Sequence, residues 1–309
     1  MTLAFLTAWL GAMPGYMTPL LLASVGLILC ERAGILNLGV EGIMAVGAMA
    51  GAVAALSGSG PALALGLGTL AGLAVSLPFL VAVIVFRAPM IPAGLALVAI
   101  GLGASGALGR AAAHQSFPGL PDLALPEALI GLPVVGRMLF AQDPVVYLAL
   151  ALAVAAGLVL MRTRAGLQLR AVGEDPATAD AAGVDVQLHQ FAACLAGCTL
   201  IGLAGAYLSV GGSQTWTEGM VAGRGWIALA LVVFARWSPI RAIAGAAIFA
   251  SADALIPRLQ TLGLDVPVYL LSMLPFVLTI AVLVAFAAFG WHRQGEPGHL
   301  GRAYLRQDR

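Results

Sequence analysis

Apolar residues fill most of this chain in long blocks with no helical stripe, and polar residues collect between the blocks. A stripe repeating every 3.6 residues would mark helices with one wet face, whereas blocks apolar on every side mark helices surrounded by lipid. A bilayer core of ~30 Å is crossed by about 20 such residues. The blocks predict helices near 3–30, 34–57, 61–86, 90–110, 144–161, 187–210, 225–237, 240–256 and 267–290. The seventh is short enough to be a broken or re-entrant segment, which needs protein or a water-filled cavity to satisfy its backbone. The expected fold is an all-α polytopic membrane bundle of eight or nine segments. Small residues four apart, Gly47 with Gly51 and Gly68 with Gly72, allow close backbone approach within it.

One polar island interrupts the pattern, LRAVGEDPATADAAGVDV at 169–186, holding four of the chain's fourteen carboxylates. It carries start and stop signals for a short helix. Asp175 suits the N-cap, Pro176 the first helical position and Gly183 the left-handed C-terminal cap. About two turns lie between them, too few to be stable alone in water. Ala177, Ala181 and Ala182 give the helix a small exposed face that fits a protein groove; a plain solvated loop is the alternative. A second inter-span stretch, 111–143, is proline-rich and has room for a short interfacial helix.

Composition narrows the chemistry. The chain of 309 residues is 61% hydrophobic and 9% charged, with a mean hydropathy of +1.00, whereas a soluble domain carries roughly 25% charge. All fifteen basic residues are arginine. A P-loop needs a lysine to reach nucleotide phosphates, so the chain has no such ATPase site, and Schiff-base chemistry is excluded as well. A net charge of +1 without a basic stripe argues against nucleic acid. Cys30, Cys194 and Cys198 lie in apolar runs with no nearby histidine or carboxylate, so they read as packing residues and no metal site is expected. The N-terminus lacks a basic stretch and a small-residue cleavage site, and reads as mature protein.

Arginine placement sets the orientation. With the island in the cytoplasm, Arg32, Arg87, Arg162, Arg164, Arg170, Arg236, Arg241, Arg293, Arg302, Arg306 and Arg309 fall inside. Arg110, Arg137, Arg224 and Arg258 fall outside. A single transmembrane unit over 1–309 is expected, with the loop 163–186 and the tail 291–309 both cytoplasmic.

Few polar groups lie within the spans. Glu41 lies ten residues into a span that starts near Arg32, with Asn37 four earlier on the same helix face. A carboxylate at such depth costs a few kcal/mol and faces a bundle interior or cavity. The pair either lines a solute path or hydrogen-bonds a neighbouring helix backbone. Trp216, Glu218 and Arg224 precede the short seventh segment and suit a cavity mouth, although tryptophan there also fits an interfacial belt. Asp253 has Arg258 five residues on as a candidate partner. His114 and His189 sit at helix ends, with no neighbour to form a metal site.

The island resembles the coupling segment of permease subunits of ABC importers, in the branched-chain amino acid, simple-sugar and nucleoside permease superfamily. ERAGILNLGVEGIMAVGAMAG (31–51) is similar to the signature of its nucleoside and simple-sugar branch. TWTEGMVAGRGWIALALVVFARWSPI (215–240), ADALIPRLQ (252–260), LLSMLPFVLTIAVLV (270–284) and the tail PGHLGRAY resemble that branch too. One departure is Val98, where GLALV stands in place of the branch's usual GLALN.

The resemblance implies a type II-like permease of the plasma (inner) membrane that imports a nucleoside or simple sugar by alternating access. It implies no cofactor on this chain, with ATP and Mg on separate ATPase subunits. It also implies a second permease subunit, a paralogue or a second copy, and an extracytoplasmic substrate-binding protein. Carried onto this chain, the ATPase-docking residues are Arg170, Gly173, Glu174, Pro176, Ala179, Ala182 and Gly183. The rival is an ion-coupled secondary transporter, which calls for ionisable residues deep in several helices where only Glu41 clearly qualifies. A membrane-embedded enzyme would need a clustered catalytic set, and the sequence offers none.

Overall fold

In the computed structural model, the described residues are 3–123, 131–132, 135–261, 273–288 and 295–304. The regular elements are α1 Leu3–Arg32, α2 Val40–Leu56, α3 Pro61–Leu80, α4 Met90–Gly109, α5 Val135–Phe140, α6 Pro144–Arg162, α7 Arg164–Glu174, α8 Pro176–Ala181, α9 Val186–Tyr207, α10 Arg224–Phe234, α11 Pro239–Thr261 and α12 Leu274–Ala288. Two helices end in wider turns, α3 through Val81–Val85 and α9 through Leu208–Ser213. Among the described residues no strand forms; Ala113 with Trp216 and Ser116 with Thr215 make isolated bridges.

Among the described residues six helices are long and apolar enough to cross a membrane: Phe5–Arg32, Pro61–Val85, Met90–Ala112, Pro144–Arg162, Val186–Ser213 and Pro239–Gln260. The predicted second and seventh segments, α2 and α10, are shorter apolar helices. The ninth, 267–290, is described only as α12. Exposed side chains on the long helices are largely aliphatic (Leu63, Leu70, Ile100, Leu108, Leu158), which suits lipid.

At the centre α1 and α9 pack against each other, with α2 and α3 alongside α9 and with α11, α6 and α10 against α1. Because lipid supplies no hydrophobic drive between helices, contact depends on close backbone approach. Gly47 and Gly68 provide it as the spacing predicts. A methyl added at Gly47 would stand 2.5 Å from the Gly202 oxygen, and one at Gly68 2.6 Å from the Gly47 oxygen. Polar side chains knit the same helices, Ser105 Oγ donating to the Ala45 oxygen at 3.1 Å and Ser209 Oγ to the Ala48 oxygen at 2.7 Å. Cys30, Cys194 and Cys198 are fully buried in this centre.

The second predicted span begins late. The chain leaves α1 through a turn at Gly34 (φ +85°) and runs irregularly until Val40. Asn37 fixes the turn, its Oδ1 accepting from the Gly39 amide at 2.9 Å while its Nδ2 donates to Cys198 Sγ at 3.5 Å. Asn37 and Glu41 therefore do not share a helix face. AGILNLG is apolar enough to extend a helix on paper, but the side-chain bond to its own backbone offers a competing turn.

Candidate functional site

Two regions gather the candidate residues: the island with its surroundings, and a junction deep between α2 and α10.

The island opens as α7, amphipathic and capped by Thr163 Oγ1, which accepts from the Gly166 amide at 3.1 Å. Then α8 forms with the caps read from the sequence. Asp175 Oδ1 accepts from the amides of Ala177 at 3.0 Å and Thr178 at 3.2 Å, Pro176 opens the helix, and Gly183 is left-handed at φ +84°. The Thr178 hydroxyl donates to Asp175 Oδ2, and these bonds hold the Asp175 carboxyl below the usual carboxylate range.

The seven island candidates divide by exposure. Glu174, Ala182 and Gly183 are exposed and Arg170 is half-buried, its Nε enclosed without an acceptor. Gly173, Pro176 and Ala179 are buried, Ala179 in a small core with Val172 and Val186. Gly173 lies so close to the Arg32 carbonyl that no side chain fits. The predicted small face of Ala177, Ala181 and Ala182 is exposed. Beside it runs an apolar groove of about 400 Å³ between α7 and α8, lined by Leu167, Ala171, Thr178, Ala179, Ala182 and Val184. Leu167, 60% exposed, stands at this surface.

Sequence reasoning missed that the C-terminal segment straps the island down. The His299 amide donates to the Gly173 carbonyl at 3.0 Å and the Gly298 amide to Glu174 Oε2 at 3.3 Å. The Gly301 amide donates to the Gly34 carbonyl at 3.1 Å, and the Tyr304 hydroxyl to Asp180 Oδ2 at 3.0 Å. Burial, with Arg302 nearby, holds the His299 imidazole below its usual pKa. Its tail position and PGHLGRAY composition give no sign of these long-range partners.

At the junction, Glu41 is 5% exposed in the first turn of α2. Its Oε1 accepts from the Gly223 amide and its Oε2 from the Gly225 amide, each at 2.8 Å. These amides belong to the first turn of α10, so one carboxylate meets the positive ends of two helices. That arrangement matches the backbone-bonding alternative. Glu41 also borders a cavity of about 330 Å³ with Trp216 and Glu218. Asn37 lies apart from it, against Cys198.

Trp216 is not a belt residue. It is 2% exposed, its ring pressed against Gly109 and its carbonyl accepting from the His114 amide at 3.0 Å. Glu218 is exposed beside Gly106 of α4. Arg224 pairs with Asp253, Nε to Oδ2 3.8 Å, in place of the expected Asp253–Arg258 partnership. Arg224 Nη1 also donates to the carbonyls of Met220 at 3.1 Å and Val221 at 3.3 Å. Val98 is half-buried, and its Cα would lie 2.8 Å from a methyl at Gly42, the residue after Glu41. Among the described residues no group of three or more His, Cys, Asp or Glu side chains could hold a metal ion.

Comparison with known proteins adds lineage to this geometry. Residues 12–283 match the family described as branched-chain amino acid transport system / permease component. A protein of Haloferax volcanii provisionally named glucose ABC transporter permease protein TsgC13 is 37% identical, over 91% of this chain and 92% of its own. The nucleoside ABC transporter permease protein NupC of Lactococcus lactis is 34% identical, over 88% and 89%. The guanosine ABC transporter permease protein NupQ of Bacillus subtilis is 32% identical, over 88% and 89%. No solved structure matches the chain.

Proposed function

The chain belongs to the branched-chain amino acid transport system / permease component family, and we propose that it is the membrane subunit of an ATP-driven importer for a nucleoside or a related simple sugar. The substrate class is taken from relatives named for nucleosides, guanosine and glucose. The chain itself carries no catalysis in this reading; ATP and Mg belong to separate ATPase subunits.

The observation that carries the proposal is the island. A two-turn helix with small exposed residues, an apolar groove at its side and the exposed Leu167 forms a surface that an ATPase subunit would cover. It is held from behind, by Gly173 on the Arg32 carbonyl and by the C-terminal strap on Gly34. A push on α8 therefore reaches α1 and the 33–39 turn without being absorbed by a slack loop. That turn leads into α2, whose Glu41 is bound to the start of α10. Closure of two ATPases would reach the deep junction along this route and alternate the access of the pore.

In this reading the island and the C-terminal segment lie in the cytoplasm and the chain sits in the plasma membrane. The short α2 and α10, together with α12, complete a bundle of eight or nine segments. Two such subunits, identical or paralogous, form the pore, and an extracytoplasmic binding protein delivers solute at the opposite end. Exposed Ala182, Gly183 and Glu174 meet the ATPase, while Gly173, Pro176 and Ala179 support them from beneath.

Uptake of labelled nucleosides and sugars into proteoliposomes containing the complete complex tests this. Uptake should require internal or external ATP on the ATPase side and survive an ionophore. Uptake that collapses with the ion gradient while ATP is held constant would establish the secondary transporter instead.

A further inference from the structure

A second and larger cavity borders Arg224, and Glu41 is not among the residues that line it. It measures about 560 Å³ and is lined by Tyr16, Gln142, Asp143, Tyr207, Thr217 and Arg224, among others. Pockets of ~300–1,000 Å³ hold small-molecule ligands. We propose that this cavity is a binding site for an uncharged, hydroxyl-rich ring solute, and that it is where the transported molecule rests within this chain. The second part rests on the importer reading; binding itself does not.

Both charged side chains that line the cavity already have partners. Asp143 Oδ1 accepts from the amides of Val145 at 2.9 Å and Val146 at 3.3 Å, and its Oδ2 accepts from the Tyr207 hydroxyl at 2.6 Å. Arg224 is paired with Asp253. The positive N-terminal end of α6, which Asp143 caps, offsets its charge and Asp253 offsets Arg224, so an ionic ligand would have to displace a partner already in place, which favours a neutral one.

The hydrogen-bonding capacity left over is of the kind that hydroxyl groups match. The Tyr207 oxygen, having donated its proton, can still accept. Gln142 commits its NH₂ to the carbonyls of Gly11 at 2.9 Å and Arg137 at 2.8 Å, so its carbonyl oxygen is what it has to offer. Arg224 commits Nη1 to two carbonyls, which leaves Nη2 as a donor. The half-buried Tyr16 supplies an apolar ring face to a sugar or base ring, and the buried Tyr207 ring backs the cavity wall.

The backbone is shaped to make this space. Beyond Tyr207, α9 continues as a wide turn over Leu208–Ser213 and ends at Gln214 with φ +55°. Such turns, and non-glycine residues in the left-handed region, recur at functional sites. Within the turn Gly211 rests on the Tyr207 ring, where a methyl would stand 2.5 Å from Cδ2. Along α1 the cavity spans residues Gly11 to Pro19, about 20–30 Å of helix from Arg32 and so from the island. An importer would receive its solute at that end. Arg224 touches the cavity and stands between Gly223 and Gly225, whose amides bind Glu41, so an occupant would be felt at the start of α10.

Labelling of a Gly15→Cys variant in the full complex tests the site. Gly15 lines the cavity, and a Cβ there would lie 3.9 Å from the Tyr207 oxygen, an ordinary contact. The three native cysteines of this chain are fully buried, so membrane-impermeant maleimide label read on this subunit's own gel band reports one accessible thiol. Uridine, guanosine, ribose or glucose at millimolar concentration should slow labelling at least fivefold, and leucine or glutamate should not. Adding Tyr207→Phe should abolish that protection while the complex still assembles. Failure of the introduced thiol to label would overturn the proposal. So would equal labelling with every neutral solute, or protection by leucine or glutamate alone. Protection without ATP-driven uptake would leave the site standing and remove the importer reading.

Discussion

Replacing Glu41 tests whether its carboxylate holds two helices together. Both oxygens are taken by amides of the α10 first turn at 2.8 Å, and the residue is 5% exposed, so water cannot readily replace it. A buried donor left without an acceptor costs about 1–3 kcal/mol, so Glu41→Ala, which strands two, should cost roughly 2–6 kcal/mol. Glu41→Gln keeps one acceptor, turns an NH₂ against the other amide and removes the charge facing two helix N-termini. Its cost should be about 2–4 kcal/mol, from one stranded donor and weaker bonding at the other. At about 2–4 °C per kcal/mol the glutamine variant should melt roughly 4–16 °C below the native chain. Thermal unfolding of detergent-purified native, Glu41→Gln and Glu41→Ala proteins, followed by tryptophan fluorescence, measures this. A glutamine variant melting within a degree of native would refute the bracing role. If that variant also lost uptake, the carboxylate would be acting on the solute path.

Other substitutions probe the remaining contacts. Gly173→Val drives a side chain into the Arg32 carbonyl and should lift α7 from α1. ATPase retention on affinity resin should then fall at least tenfold while tryptophan fluorescence still reports folded spans. Trp216→Ala empties a fully buried site against Gly109 and should cost about 3–5 kcal/mol by thermal unfolding; a belt tryptophan would lose far less. The strap should loosen in mild acid. The folded His299 pKa lies below its unfolded value, so the folded state resists protonation. Strap stability is therefore complete above the unfolded pKa of about 6.5 and declines as pH falls below it. Limited proteolysis of the tail should accelerate between pH 7.5 and 5.5 in the native chain and lose that pH dependence in His299→Gln.

Local signals in this sequence carried further than long-range ones. The caps of α8 could be read because Asp175, Pro176 and Gly183 act on backbone within a few residues of themselves. The shortness of α10 and the depth of Glu41 were legible from the apolar blocks alone. The partners of Glu41 were not, because Gly223 and Gly225 lie more than 180 positions away. Asn37 misled for a local reason: its side chain binds the Gly39 amide and diverts an apolar stretch from helix into turn. Trp216 misled for a distant one, since nothing near it in sequence announces the gap above Gly109 that receives its ring. On α8 the resemblance supplied a set of residues, but only packing separates Ala182, which faces out, from Ala179, which faces in.

That separation makes the docking claim directly measurable. The tagged native chain and an Ala182→Arg variant should be purified in mild detergent from cells expressing the neighbouring genes, and the co-purifying proteins identified by mass spectrometry. Because Ala182 is exposed at the groove, the arginine leaves the fold intact and obstructs only what covers that surface. An ATP-binding subunit present with the native chain and depleted at least tenfold from the variant is the predicted result. An ATPase retained equally by both would place its docking surface away from α8, and absence of any ATPase from both would contradict the account.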